Sequence, residues 1–375
     1  DNNQTGELLV GSSLWLDGQI NITGIIGSDL CDYGEDRLLG ADTGNEIKVR
    51  VYKTDLGIEY EAILEFETGG IWGDYITVIS TLSALPGCTY IEAENYDPLA
   101  AYDDGSCIFT QLVNISPNML NMISFNVNLS ELTFENIFSD SDQILFSSND
   151  NGEFYIPGYD VNTIGNIKND GYYTLLNNTQ DSVVSVSVSG SKVDLSTEIM
   201  LEHHKHNLIP YLPFDSYHVE DVFVYIDEDI LFVTNDEGAY WIPSLGVSTL
   251  ENMNEAKGYV VVSNSNDDIS FSYDQIGVGL TRRNDISYFD MESLSSNHYN
   301  VNKTGLSHPI VIENINGDIN HGDEIAVYAN NILVGATKII APNSKYIIPA
   351  WKKIDEYGQY LEGYSNGDNI NLRLW

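Results

Sequence analysis

Residues 87–108 hold the densest set of groups that could do chemistry: Cys88 and Cys107 enclose Asn95, Asp97, Asp103 and Asp104, with Gly105 free to turn. Hard oxygens in a short closed loop suit calcium, which tolerates carboxylate and carbonyl ligands at irregular geometry better than zinc or magnesium does. The spacing is not that of an EF-hand loop, so two readings stay open. Either calcium is held by Asn95, Asp97, Asp103 and Asp104, or this is a solvated acidic turn in which Asp97 and Asp104 cap backbone N–H groups. A unit this short has no core of its own and needs a staple. Loop spacing and an oxidising compartment predict a Cys88–Cys107 disulfide, with Cys31 free or paired outside the chain; the alternative is three reduced cysteines.

Other reactive side chains are weaker candidates. Glu202-His203-His204-Lys205-His206 is the only histidine cluster. In a strand His204 and His206 would share a face and could hold a transition metal given a third ligand, but Lys205 adds like charge and plain surface histidines are the simpler reading. Tyr155 and Trp241, with Tyr240, Trp72 and Trp351, offer faces on which sugar rings could stack, or else they pack a core. The sequons at Asn3, Asn21, Asn114, Asn128, Asn177 and Asn302 matter only in a glycosylating secretory pathway. No nucleophile elbow, metalloprotease or Cys–His signature and no phosphate-cradling glycine loop occurs, so the chain reads as non-catalytic. Carboxylates are so numerous that counting them says nothing about a glycosidase pair.

The elements that must position these groups sit in a strongly acidic chain. Of 375 residues, 16 are Lys or Arg and 56 Asp or Glu, a formal charge of −40, and no basic face can be assembled to displace phosphate counterions. Nucleic acid is therefore excluded as a partner. Hydrophobic residues at 42% and aromatics at 11% are enough for packed domains. No run of about eighteen apolar residues is present, which argues against membrane insertion by a helix. An acidic, Asn-rich surface stays soluble in salt and draws divalent cations, which fits a saline extracellular setting.

Two internal repeats organise the chain. Residues 144–157, Ile144-Leu145-Phe146 through Tyr155-Ile156-Pro157, match 230–243, Ile230-Leu231-Phe232 through Trp241-Ile242-Pro243, without a gap. Phe134–Phe138 pairs with Val219–Phe223, and Gly171-Tyr172 with Gly258-Tyr259. The second repeat joins the ends: Leu9-Val10-Gly11 matches Leu333-Val334-Gly335, Tyr33-Gly34 matches Tyr357-Gly358, and residues 44–52 match 367–375. The later copy stops where the first runs on into Lys53–Glu61, and Pro309–Ile312 and Glu324–Tyr328 have no counterparts ahead of residue 1. Both end copies read as incomplete. The chain is expected to be a slice of a longer tandem protein; the alternative is strand exchange between neighbouring chains.

Local patterning is all-β. Val183–Ser189 alternates apolar and polar residues strictly, and Asn151-Gly152 and Glu237-Gly238 read as hairpin tips. Phe134–Phe138 and Val219–Val224 could each form a short helix. The expected architecture is a row of β-sandwich modules joined by the disulfide-closed acidic unit: 1–85, the joint 86–109, 110–200, 201–280 and 281–375.

The segment Gly87-Cys88-Thr89 … Asn95-Tyr96-Asp97-Pro98-Leu99-Ala100 … Asp103-Asp104-Gly105-Ser106-Cys107 closely resembles a motif scattered through large secreted surface proteins, especially of marine Bacteroidota. Gly322–Tyr328 with Leu333–Ala336, and Leu120–Val127 with its Tyr-Ile-Pro and Gly-Tyr elements, are similar to repeats of the same proteins. Some phage and algal-virus fibres carry the cysteine motif too. The resemblance implies export by a type IX-like route and display as an adhesin, gliding protein or surface appendage, and it implies no reaction. The resulting expectation is a non-catalytic extracellular structural segment whose partners are copies of itself or adjoining modules. A glycan-binding module is the alternative, and an accessory region of a secreted hydrolase a third option.

Overall fold

The computed structural model describes residues 8–15, 18–29, 37–54, 57–138, 143–277, 286–341 and 344–375. It is all-β, with 43% strand and 6% helix. The chain divides after Cys107 into two compact units, Asp1–Cys107 and Ile108–Trp375.

The first unit is a series of small pairings. The hairpin β1 (Ser28–Asp29)–β2 (Arg37–Leu38) is followed by β3 (Arg50–Lys53)–β4 (Ile58–Glu61) and β5 (Ile63–Thr68)–β6 (Val78–Ser83), all antiparallel. The short strands β7 (Leu85–Gly87) and β8 (Ala100–Asp103) then run parallel, with the cysteine loop as their crossover. Its buried apolar side chains among the described residues are only Ala41, Tyr60, Ala62, Cys88, Ala93 and Cys107. Such pairs gain little independent stability from so small a core.

The second unit opens with β9 (Phe109–Ile115), which pairs along its whole length with β15 (Val184–Gly190). Both alternate buried and exposed residues, so Val184, Val186 and Val188 line one face, as the alternation predicts. Between them lies the first middle copy. Its strands are β10 (Leu120–Ser124), β11 (Ile144–Ser148), β12 (Phe154–Ile156), β13 (Val161–Asn162) and β14 (Gly171–Leu176), in the sheet order β10-β14-β11-β12-β13. The second copy follows β16 (Ile199–Leu201) and consists of β17 (His206–Pro210), β18 (Tyr217–His218), β19 (Ile230–Thr234), β20 (Tyr240–Ile242), β21 (Val247–Ser248), β22 (Asn252–Met253) and β23 (Gly258–Ser263). After it come β24 (Ile269–Phe271), paired with β16, and β25 (Ser287–Tyr288), parallel to β21. The sheet order β17-β23-β19-β20-β21-β25 repeats the first copy's order and adds one strand.

The sequence repeat is thus a structural repeat down to its irregularities. Each copy has a bulge at the same place, between Ile144 and Phe146 and between Ile230 and Phe232. Each hairpin tip is built by an Asn: Asn149 Oδ1 accepts from Asn151 N and Glu153 N, and Asn235 Oδ1 from Glu237 N and Ala239 N. Gly152 (φ 73°) and Gly238 (φ 81°) supply the left-handed residue that follows. The helices α1 (Phe134–Ile137) and α2 (Val219–Val222) are single turns at equivalent positions. Each covers the core with an aromatic ring: Phe134 stacks on Tyr155 at 5.7 Å and Phe223, the C-cap of α2, on Trp241 at 6.0 Å.

The remaining strands are β26 (Ser307–Ile312), β27 (Glu324–Ala329), β28 (Ile332–Lys338), β29 (Tyr346–Trp351), β30 (Ile354–Glu356), β31 (Gln359–Leu361) and β32 (Ile370–Leu374). β26 pairs with β29, while β27 lies between β28 and β32 and is antiparallel to both. The two sheets close on a core that includes Ile325, Val327, Val334, Ile339, Tyr346 and Ile348.

Candidate functional site

The cysteine loop is stapled as the spacing predicts. Cys88 and Cys107 form a disulfide with Cα atoms 4.7 Å apart. Cys31 lies outside the described residues. Backbone bonds tie the loop from within: Asp97 N donates to Cys88 O at 2.9 Å and Ala100 N to Asp97 O at 3.0 Å. The acids serve the same end. Asp97 Oδ1 accepts from Leu99 N (2.9 Å), Asp103 Oδ1 from Gly105 N (3.0 Å) and Asp104 Oδ1 from Ser106 N (3.0 Å), each two residues ahead. Asn95 crosses the loop, its Nδ2 donating to Ser106 O at 2.7 Å. Hydrogen bonds from Ser106 hold the Asp104 carboxyl below the usual carboxylate range.

Asn95, Asp97, Asp103 and Asp104 therefore share one stapled loop, with each carboxylate engaged by a nearby backbone N–H. Among the described residues no three His, Cys, Asp or Glu side chains converge on a point that could hold a metal ion. Behind the loop Tyr102 stacks on the buried Tyr60 at 4.6 Å, and Lys53 Nζ donates to Tyr102 Oη at 3.4 Å.

The second site went unseen in the sequence: two hairpin tips that lock the middle copies to each other. Asp236, at the second copy's tip and fully buried, accepts from Met122 N of β10 at 3.1 Å through Oδ2. Asp150, at the first copy's tip, accepts from Leu208 N of β17. Met122 and Leu208 are equivalent residues, as are Asp150 and Asp236, so the contact is reciprocal and nearly two-fold. Around it Met122, Leu208, Val260 and Val262 form a shared apolar core, with Tyr173 packed against it. The glycines preceding the paired tyrosines let the backbones close. A Cβ on Gly171 would meet Leu208 Cγ at 2.7 Å, and one on Gly258 would meet Ile123 O at 3.2 Å.

The two ends of this interface differ in charge. Beside Asp236 stands Lys257, with Nζ 3.4 Å from its Oδ1 and 3.5 Å from Glu237 Oε1. The first copy has Asp170 where the second has Lys257, so Asp150 and Asp170 share a polar cleft of about 420 Å³ with Asn149, Asn151, Glu198 and Glu202. Desolvation pushes Asp150, Asp170 and Asp236 above the usual carboxylate range.

The histidines do not meet as a strand would bring them together. His204 takes a left-handed turn (φ 54°) equivalent to that of Asn118, and β17 begins only at His206. In both turns an Asn closes the backbone, Asn121 in one copy and Asn207 in the other. His203 Nδ1 instead lies 2.7 Å from Asp268 Oδ1.

Tyr155 and Trp241, read as possible sugar platforms, require correction. They are 2% and 0% exposed, with ring faces covered by Phe134 and Phe223, so both pack the cores of their copies. Trp351 is buried as well, at 3% exposure. No helix among the described residues is long and apolar enough to cross a membrane. Comparison with family models, with curated proteins and with solved structures returns no match for this chain.

Proposed function

We infer that the chain is a non-catalytic structural segment of an extracellular surface filament, adhesin or attachment appendage built of repeated β modules. The observation that carries this reading is the pair of middle copies. Its conserved internal geometry serves caps, glycine contacts and aromatic stacking in both copies, and its reciprocal aspartate contacts join the copies to each other. A reciprocal contact of this kind closes the two copies into one block, a unit that a protein of repeated modules can set in a row with others. The Cys88–Cys107 disulfide fits a non-reducing compartment, and the acidic surface fits saline exposure. The partners in this reading are copies of the chain or adjoining modules.

The cysteine loop acts here as a stapled joint. Calcium at Asn95, Asp97, Asp103 and Asp104 would draw on the oxygens that the backbone caps leave over. If it stiffens the joint, a chelator speeds protease cleavage within 86–109; equal cleavage with and without chelator removes calcium from the account.

The reading itself is tested on intact source cells with a membrane-impermeant amine-labelling reagent. Labelling of the chain before lysis supports surface display, and labelling only after lysis overturns it.

A further inference from the structure

Equivalent positions in the two middle copies carry opposite charge. At the second copy's tip Lys257 supplies an ammonium, with Nζ 3.4 Å from Asp236 Oδ1 and 3.5 Å from Glu237 Oε1. The first copy keeps the tip acid as Asp150 but has Asp170 in place of Lys257, so a second carboxylate stands where the other copy has a cation. The segment leading into the second copy adds to this. Glu198 and Glu202 line the same cleft of about 420 Å³, while the matching positions ahead of the first copy are Leu112 and Ser116. Two turns fix that register: Asn207 Oδ1 accepts from Glu202 N at 2.8 Å as Asn121 Oδ1 accepts from Ser116 N at 2.7 Å.

The cations near the cleft are engaged elsewhere. Lys168 Nζ lies 2.9 Å from Glu153 Oε1, and Lys205 pairs with Glu202. His206, near Asp150, is held below its ordinary pKa by partial desolvation of its ring and brings no charge at pH 7. Asp150 Oδ2 accepts from Leu208 N and Asp170 Oδ2 from Asn149 Nδ2 at 3.4 Å, and among the described residues neither Oδ1 has a hydrogen bond. Ile199 and Met200 supply an apolar wall, Met200 being 57% exposed.

We propose that this cleft binds a primary alkylammonium group, held by Asp150 and Asp170 in the place that Lys257 fills in the other copy. The second copy specifies the ligand, because there the same tip acid already holds a lysine ammonium. Carboxylates beside an apolar wall suit a charge carried on a hydrocarbon stem, with the ammonium on the acids and the methylenes along Ile199 and Met200. A bare divalent cation of calcium's kind asks for about six to eight oxygen ligands, whereas no three acidic, imidazole or thiol side chains converge here among the described residues. Two sources carry this chemistry, the lysine side chain of a partner polypeptide and a free polyamine. The inference stands on the charge difference between the two copies and not on where the protein is displayed, so it can fail while that reading holds.

The test titrates the full chain at about 0.15 M salt, where scattered surface charges are screened. The ligands are a blocked tripeptide with a central lysine, the same peptide with norleucine instead, spermidine, and calcium chloride at matched ionic strength. Binding is read by calorimetry and located by amide hydrogen exchange. The expected result is saturable one-to-one binding of an amine, with new protection at residues 149–151 and 198–202, and none with the norleucine peptide. Asp170→Asn should weaken it about tenfold or more, since a charge-assisted bond is lost. Asp170→Lys copies the second copy's arrangement, so it should abolish binding while melting no lower than the parent. Binding of the lysine peptide names a partner side chain as the source, and binding of spermidine alone names a free polyamine. Absence of saturable amine binding overturns the proposal, as does equal binding by the norleucine peptide or undiminished binding by Asp170→Lys. Calcium that displaces the amine at lower concentration overturns it too, and assigns the cleft to a metal.

Discussion

Two buried acids show how the same side-chain type acts with opposite sign. Asp236 is fully buried, and desolvation outweighs Lys257 and the Met122 N–H, so its folded pKa stands above the ordinary value. The stability it contributes is complete below about pH 4 and is lost as pH rises through the raised folded value. Relative to Asp236→Asn, which keeps an acceptor for Met122 N, the parent should lose melting temperature across that window; parallel pH curves would refute this. Asp236→Ala strands a buried N–H and should cost about 1–3 kcal/mol in denaturant unfolding. Glu324 behaves the other way. Burial opposes its charge, but Ser296 Oγ, Asn297 N and His298 N all donate to it and hold its pKa below the usual value. Its contribution is present above about pH 4 and is lost as pH falls through the lowered folded value, so Glu324→Gln should flatten the acid limb of the stability curve. The sequence made the acids of the cysteine loop legible because they cluster between cysteines. Asp150 and Asp236 were hidden because each bonds a residue far away in the chain, and no local spacing encodes that pairing.

At the scale of elements, alternation and turn chemistry carried far. The run Val183–Ser189 became β15, the two Gly-containing tips became hairpin turns, and the short aromatic segments became the single turns α1 and α2. His203, His204 and His206 are exposed, in line with the simpler reading of surface histidines, and the strand that would have put His204 and His206 on one face does not form because the turn before β17 places a left-handed residue at His204. The sugar-platform reading of Tyr155 and Trp241 failed because aromatic type does not reveal which face is covered. Trp241→Ala should therefore act on the fold, lowering unfolding free energy by about 3–5 kcal/mol, with no loss on a glycan panel. Gly171→Ala pushes a Cβ into Leu208 and should cost about 1–3 kcal/mol, an effect absent if the copies do not touch there. Reducing Cys88–Cys107 removes a staple across a sequence separation of 19, worth about 3 kcal/mol. Cleavage within 86–109 should then accelerate while exchange protection of β10 and β17 stays unchanged.

For the whole molecule, the repeats were plain in the sequence and their joining was not. Copies expected as separate beads over 110–375 lie in one compact unit, because the middle pair share an apolar core and exchange aspartate caps. The end repeat was legible from matched glycines, and the structure supplies its reason: Gly11 and Gly335 let a strand pass close to a carbonyl in each copy. The paired copies, the stapled loop and the acidic surface are what the proposal of a structural surface segment rests on. The direct measurement is immunogold electron microscopy of intact source cells with antibodies to residues 108–375. Gold along filaments or the outer surface is the predicted result, and gold confined to the cell interior would contradict the account.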